Sequence, residues 1–90
     1  MRPSRNQVLI DALAIEVKAR RSELGYTQED LAGRCELDRP FISLIEVGRK
    51  QPTISVLYLL SRGLDLSFTE FADRIERRLR KQLRANTRSQ

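Results

Sequence analysis

The sequence has no histidine and no tryptophan, and only one cysteine, three prolines and four glycines in 90 residues. With no imidazole and a single thiol at Cys35, zinc sites of the Cys/His type, Ser-His and Cys-His catalytic pairs and internal disulfides are all excluded. No leader-like segment and no run of about 18 apolar residues occurs, which predicts a soluble cytoplasmic protein with no membrane partner. A chain this short buries only about 60–65% of its unfolded surface, so a large enclosed active site is not expected. Glycine-rich phosphate loops, internal repeats and strand-like alternation are also missing. The expectation is an all-α protein that is not an enzyme and carries no metal, cofactor or evident small-molecule ligand.

Charge is present in quantity but unevenly placed. Seventeen Lys and Arg oppose twelve Asp and Glu, a net +5. Residues 1–73 are close to neutral, whereas Arg74, Arg77, Arg78, Arg80, Lys81, Arg84 and Arg88 face only Glu76 in the remainder. An anionic partner is implied, and the net positive charge lies in the C-terminal part.

The most structured stretch is Thr27 to Gly48. Leu31, Ala32 and Cys35, then Phe41, Ile42 and Ile45, repeat at the spacing of two short helices with one core-facing stripe each. Thr27 with Asp30 resembles a capping box, and Asp38 is placed to cap the second helix, with Leu37 reaching Ile42 as a hydrophobic staple. Pro40 is tolerated in a first turn that has no use for its missing donor, and Gly48 is a natural stop. Cys35 falls on the apolar stripe and reads as packing.

The flanks read as support. Residues 1–7 are a polar arm, with Arg2 and Arg5 able to reach a nucleic-acid groove. The domain proper spans 8–84. Ile10, Leu13, Val17 and Leu24 mark a first helix ended by Gly25. Arg21 lies on that same apolar face, and Glu46 lies on the core side of the displayed helix, which predicts an Arg21–Glu46 ion pair locking its orientation. Thr53 caps a further helix, Ile54 to Leu64, apolar enough to be buried on most sides. Ser67 with Glu70 is a second capping box, opening a basic helix whose stripe includes Phe68, Phe71, Ile75, Leu79 and Leu83. Past Ile75 that stripe outruns the domain, so Ile75, Leu79 and Leu83 are the candidate contact with a second copy. Residues 85–90 read as a disordered tail.

With Ile42 and Ile45 turned inward, the 100° helical step puts Arg39, Pro40, Ser43, Leu44 and Val47 outward. Such a face suits the major groove of double-stranded DNA. The Arg39 fork can donate twice to guanine, Ser43 can reach a base, and Pro40 and Leu44 can meet thymine methyls. Gln28, at the start of the preceding helix, and Arg49 and Lys50, after the displayed one, suit phosphates.

The runs LGYTQEDLA and DRPFISLIEVGRKQPT resemble the Cro and lambda-repressor-like helix-turn-helix regulators, the Xre family. Gln28, Ala32, Ile42, Ile45, Glu46, Gly48 and Pro52 carry the likeness, and the ArgProPheIleSer stretch is similar to the short controllers of restriction-modification systems. The resemblance implies a compact five-helix domain with the helix-turn-helix at its second and third helices. It also implies a transcriptional regulator, such as a repressor, binding a palindromic operator as a homodimer, with Arg21 and Glu46 as a buried pair. Glu36 stands where the family often has glycine, and the reading face is more apolar than usual. That second departure supports an alternative, a protein-interaction module such as an antitoxin or adaptor.

Overall fold

A short chain with four capping signals can end its helices locally and leave their stripes to meet. The computed structural model describes residues 5–88 and contains five helices: α1 (Gln7–Glu23), α2 (Gln28–Cys35), α3 (Arg39–Glu46), α4 (Ile54–Gly63) and α5 (Phe68–Arg88). Among the described residues no helix is long and apolar enough to cross a membrane. Their inward stripes form one core, with Leu13 and Val17 from α1, Leu31, Ala32 and Cys35 from α2, Ile42 and Ile45 from α3, Leu60 from α4 and Phe71 from α5.

Both capping boxes are complete. Thr27 Oγ1 accepts from the Asp30 N–H at 3.0 Å while the Thr27 N–H donates to Asp30 Oδ2 at 2.9 Å. Ser67 and Glu70 repeat the exchange at 3.0 and 2.9 Å. Thr53 caps α4 by accepting from the Val56 N–H at 3.2 Å. Asp38 departs from expectation: it occupies the cap position of α3, but its side chain makes no capping bond. Leu37 does pack against the core beside it.

The turn between α2 and α3 is made by Glu36 in the left-handed region, φ 56°, a conformation costing about 1 kcal/mol or more for a residue with a Cβ. Gly63, in the last turn of α4, is explained by α2: a Cβ there would collide with the Cys35 sulfur. Cys35 is therefore packing, and burial raises its thiol pKa to about 11, so it stays protonated and unreactive near neutrality. The carbonyl end of α4 receives two cations. Arg34 Nε donates to Gly63 O at 2.8 Å and Arg20 Nε to Leu64 O at 2.9 Å, which is the charge a helix C-terminus favours.

Three expectations need correction. α4 is not buried on most sides: Leu60, Ser61 and Gly63 are, but Ile54 is 71% exposed, Tyr58 51% and Leu59 39%. A helix with apolar residues all round leaves its buried face undetermined, and here α2 and α5 cover only part of it. Second, the chain at 85–88, expected to belong to a disordered tail, continues α5 to Arg88. Third, the end of the expected arm is tied down: Arg5 and Gln7 bond to the Gly48 carbonyl, and Gln7 opens α1. Arg2 lies outside the described residues.

α5 lies along α1. The bond between them is one that the stripe pattern did not reveal. Glu16 of α1, 2% exposed, accepts from Arg74 Nε and from Arg78 Nε, each at 2.6 Å. Arg74 also reaches Glu23 at 2.7 Å. Two of the basic residues of α5 are thus engaged within the domain, and the Arg74 guanidinium is held more firmly protonated by its hydrogen bond to Glu16.

Candidate nucleic-acid interface

The outward side of α3 is displayed because its inward side is fixed. Ile42 and Ile45 are fully buried, and Glu46 beside them is gripped from behind. Arg21 Nε donates to Glu46 Oε2 at 2.7 Å and Arg21 Nη2 to Glu46 Oε1 at 3.0 Å, a bidentate pair with side chains 15% and 3% exposed. Arg21 Nη1 also donates to Tyr26 O at 2.8 Å, tying the α1–α2 turn to the same guanidinium. The hydrogen bond to Glu46 raises the Arg21 pKa further, so the guanidinium stays charged.

Gln28 is placed differently from the sequence expectation of a plain phosphate ligand. Its Nε2 donates to Glu46 Oε1 at 3.0 Å, so the side chain completes the Arg21–Glu46 network and has one amide hydrogen left to offer. Arg39 stands opposite. Together with Arg21, Thr27, Gln28 and Glu29 it lines an open depression of about 430 Å³ between the starts of α2 and α3. Glu29 is the member that sequence reasoning did not single out. It puts a negative charge at the mouth, near where a phosphate bound at the α2 N-terminus would sit.

Pro40 and Leu44 are exposed on the outer face of α3, Ser43 is half-buried, and Val47 at the helix end is 62% exposed. Arg49 and Lys50 are exposed in the loop that follows. Lys50 is not free to wander: its ammonium lies 5.5 Å from the Phe41 ring centroid, a cation–π contact. The structure thus brings Arg39, Gln28 and Glu29 together at one end of α3 and places Arg49 and Lys50 at the other. Ile75, Leu79 and Leu83 lie elsewhere, on α5. Ile75 is packed against the core, Leu79 is half-buried and Leu83 is exposed.

The helix-turn-helix family profile matches residues 17–71, which span all of α2, α3 and α4. The chain belongs to the helix-turn-helix family. In that family's terms α2 and α3 are the motif and α3 is its displayed recognition helix.

Relatives of the helix-turn-helix domain agree. An HTH-type transcriptional regulator, y4dJ of Sinorhizobium fredii, is 38% identical over 50 residues, 56% of this chain and 65% of that protein. The match therefore spans just under two thirds of that relative. A crystal structure of a mutant restriction-modification controller protein, C.Esp1396I, superposes with a TM-score of 0.77 at 38% identity, covering 81% of this chain and 92% of that one. The C.Esp1396I tetramer in complex with its natural 35 base-pair operator gives 0.75 at 37% identity, over 79% and 93%. The gene regulator ClgR of Corynebacterium glutamicum, at 21% identity and a TM-score of 0.83, shares the fold across 97% of this chain and 90% of its own.

Proposed function

We propose that the chain is a sequence-specific DNA-binding transcriptional regulator that acts in the cytoplasm as a homodimer on a palindromic operator, by occupancy and not by chemistry. The observation that carries this reading is the locked and displayed α3: its rear carboxylate is held by Arg21 and Gln28, while Arg39, Pro40 and Leu44 face solvent. The relatives support it, since the restriction-modification controller C.Esp1396I forms a tetramer in complex with its natural operator.

In this reading Arg39 donates to a guanine, Ser43 bonds a base, and Pro40 and Leu44 touch thymine methyls. The α2 N-terminus, Gln28, Arg49 and Lys50 hold phosphates and set register. Selection from a random duplex library tests it. Recovery of a palindromic motif is the expected result, and equal weak binding to every sequence would sink it. On the recovered duplex Arg39→Ala removes preference at one base position, worth about 1–3 kcal/mol of discrimination.

Two apolar faces are open to a second copy. Leu79 and Leu83 on α5 are flanked by Lys81 and Arg84, whose like charges oppose close pairing of two copies. Ile54, Tyr58 and Leu59 of α4 join Phe68 of α5 in a depression of about 410 Å³, with the Tyr58 and Phe68 rings edge to face at 6.0 Å. That second face begins directly after the loop behind α3, and on a palindromic operator the dimer has to set its two recognition helices in successive major grooves about 34 Å apart. We place the dimer contact on it. Tyr58→Glu is expected to yield a monomer in sedimentation, and Leu83→Glu a dimer; the reverse result returns the contact to Ile75, Leu79 and Leu83. The exposed Leu44 and Val47 favour one other reading, a protein-binding module, and the same duplex selection decides against or for it.

A further inference from the structure

We propose that the first turn of α1 is a positioning element for Arg49, an inference that rests on the DNA-binding reading above. Arg49 leaves the end of α3 through the peptide it shares with Gly48, and that peptide is held at both of its polar atoms. Its N–H donates to Leu44 O at 3.0 Å and the Gly48 N–H donates to Ile45 O at 3.1 Å, the paired bonds of a Schellman end with Gly48 at φ +74°. Its carbonyl, which no capping motif requires, accepts from Gln7 Nε2 at 3.0 Å and from Arg5 Nη2 at 3.2 Å.

The two donors are themselves aimed. Gln7 Nε2 also donates to Asp11 Oδ1 at 2.8 Å, and Gln7 Oε1 accepts from Arg5 Nε at 3.0 Å. α1 approaches as near as glycine permits, because a Cβ on Gly48 would meet Asp11 Oδ1 at 2.7 Å. Gly48 is buried, so its carbonyl must be paired within the chain, and the bonds from Gln7 and Arg5 supply two donors where one suffices. What they do is fix the plane of the 48–49 peptide, and with it the direction in which the Arg49 side chain starts. A phosphate contact needs that direction set in advance, since an unordered arginine must lose rotamer freedom on binding.

Gln7 is the residue to change, because it carries no charge of its own to take away from the duplex. With a duplex recovered from a random library as probe, Gln7→Ala in the full chain is expected to lower affinity about three- to tenfold. It should also reduce the magnitude of the salt slope toward the loss of one phosphate contact. In an Arg49→Ala background the same change should cost less than about twofold, since its effect passes through Arg49. Additive losses, or an unchanged salt slope, overturn the proposal. If the chain binds no duplex the DNA reading itself has failed, and amide exchange still judges the brace: the Arg49 N–H should exchange faster in Gln7→Ala than in wild type, and an equal rate overturns it.

Discussion

Glu46 and Glu16 are carboxylates whose side chains sit almost wholly out of water, 3% and 2% exposed, and both are gripped by arginine. They differ in how the grip is shared. Glu46 has one arginine, Arg21, bonded to both its oxygens, with Gln28 as a neutral second donor. Glu16 has two arginines, Arg74 and Arg78, one on each oxygen. The first arrangement aims a helix at a ligand, and the second fastens α5 to α1. A buried charge survives only while it is paired, so the single-handed grip should be fragile and the two-handed one tolerant.

The largest effect expected of a single substitution is from Arg21→Ala. It strands Glu46 with Gln28 alone and should cost about 3–5 kcal/mol, the range for breaking a buried pair. For a domain of this size that lowers the melting midpoint on the order of 20 °C. A midpoint within a few degrees of wild type would show that the Glu46 pocket admits water and that the contrast with Glu16 is empty.

Arg74→Ala and Arg78→Ala are the sharper comparison. Each leaves Glu16 with one guanidinium, so each alone should cost about 1.5–3 kcal/mol, the scale of a hydrogen bond to a charged group. Their combination should cost more than the sum, because only the second removal leaves the carboxylate unpaired. Simple additivity in urea melts would mean that Glu16 is rescued by Lys81 or by water, both arginines and Lys81 lining the same open pocket over it.

The contrast also shows what the sequence could carry. Arg21 and Glu46 were legible because each is a charge on an otherwise apolar stripe, and the resemblance to a known family pointed to the same pair. Glu16 follows Leu13 by three and precedes Val17, so it too lies on a stripe, but its partners are 58 and 62 residues away. Those partners sit in a basic helix whose charge read as pointing to an anionic partner. The capping boxes were legible since both halves lie within four residues. The exposed face of α4 was not, because Ile54, Val56, Leu57, Tyr58, Leu59 and Leu60 give periodicity nothing to choose between. The outward side of α3 followed from Ile42 and Ile45 alone, whereas the Gly48 brace ends on a backbone carbonyl, an acceptor every residue has and no sequence marks.

The smallest effect separates buried carboxylates from surface ones. Asp30 and Glu70 are exposed, and their pKa values lie below the ordinary 3.8 and 4.5, first because of a backbone hydrogen bond, from Thr27 and Ser67 respectively. A carboxylate whose pKa is depressed by folding stabilises fully above its unfolded value and loses that contribution as pH falls through the folded one. Both caps should therefore be at full strength from neutrality down to about pH 5 and weaken below about pH 4. In the Asp30→Asn, Glu70→Gln double variant the melting midpoint should depend less steeply on pH over that acid range. An unchanged acid slope would assign the loss to other carboxylates.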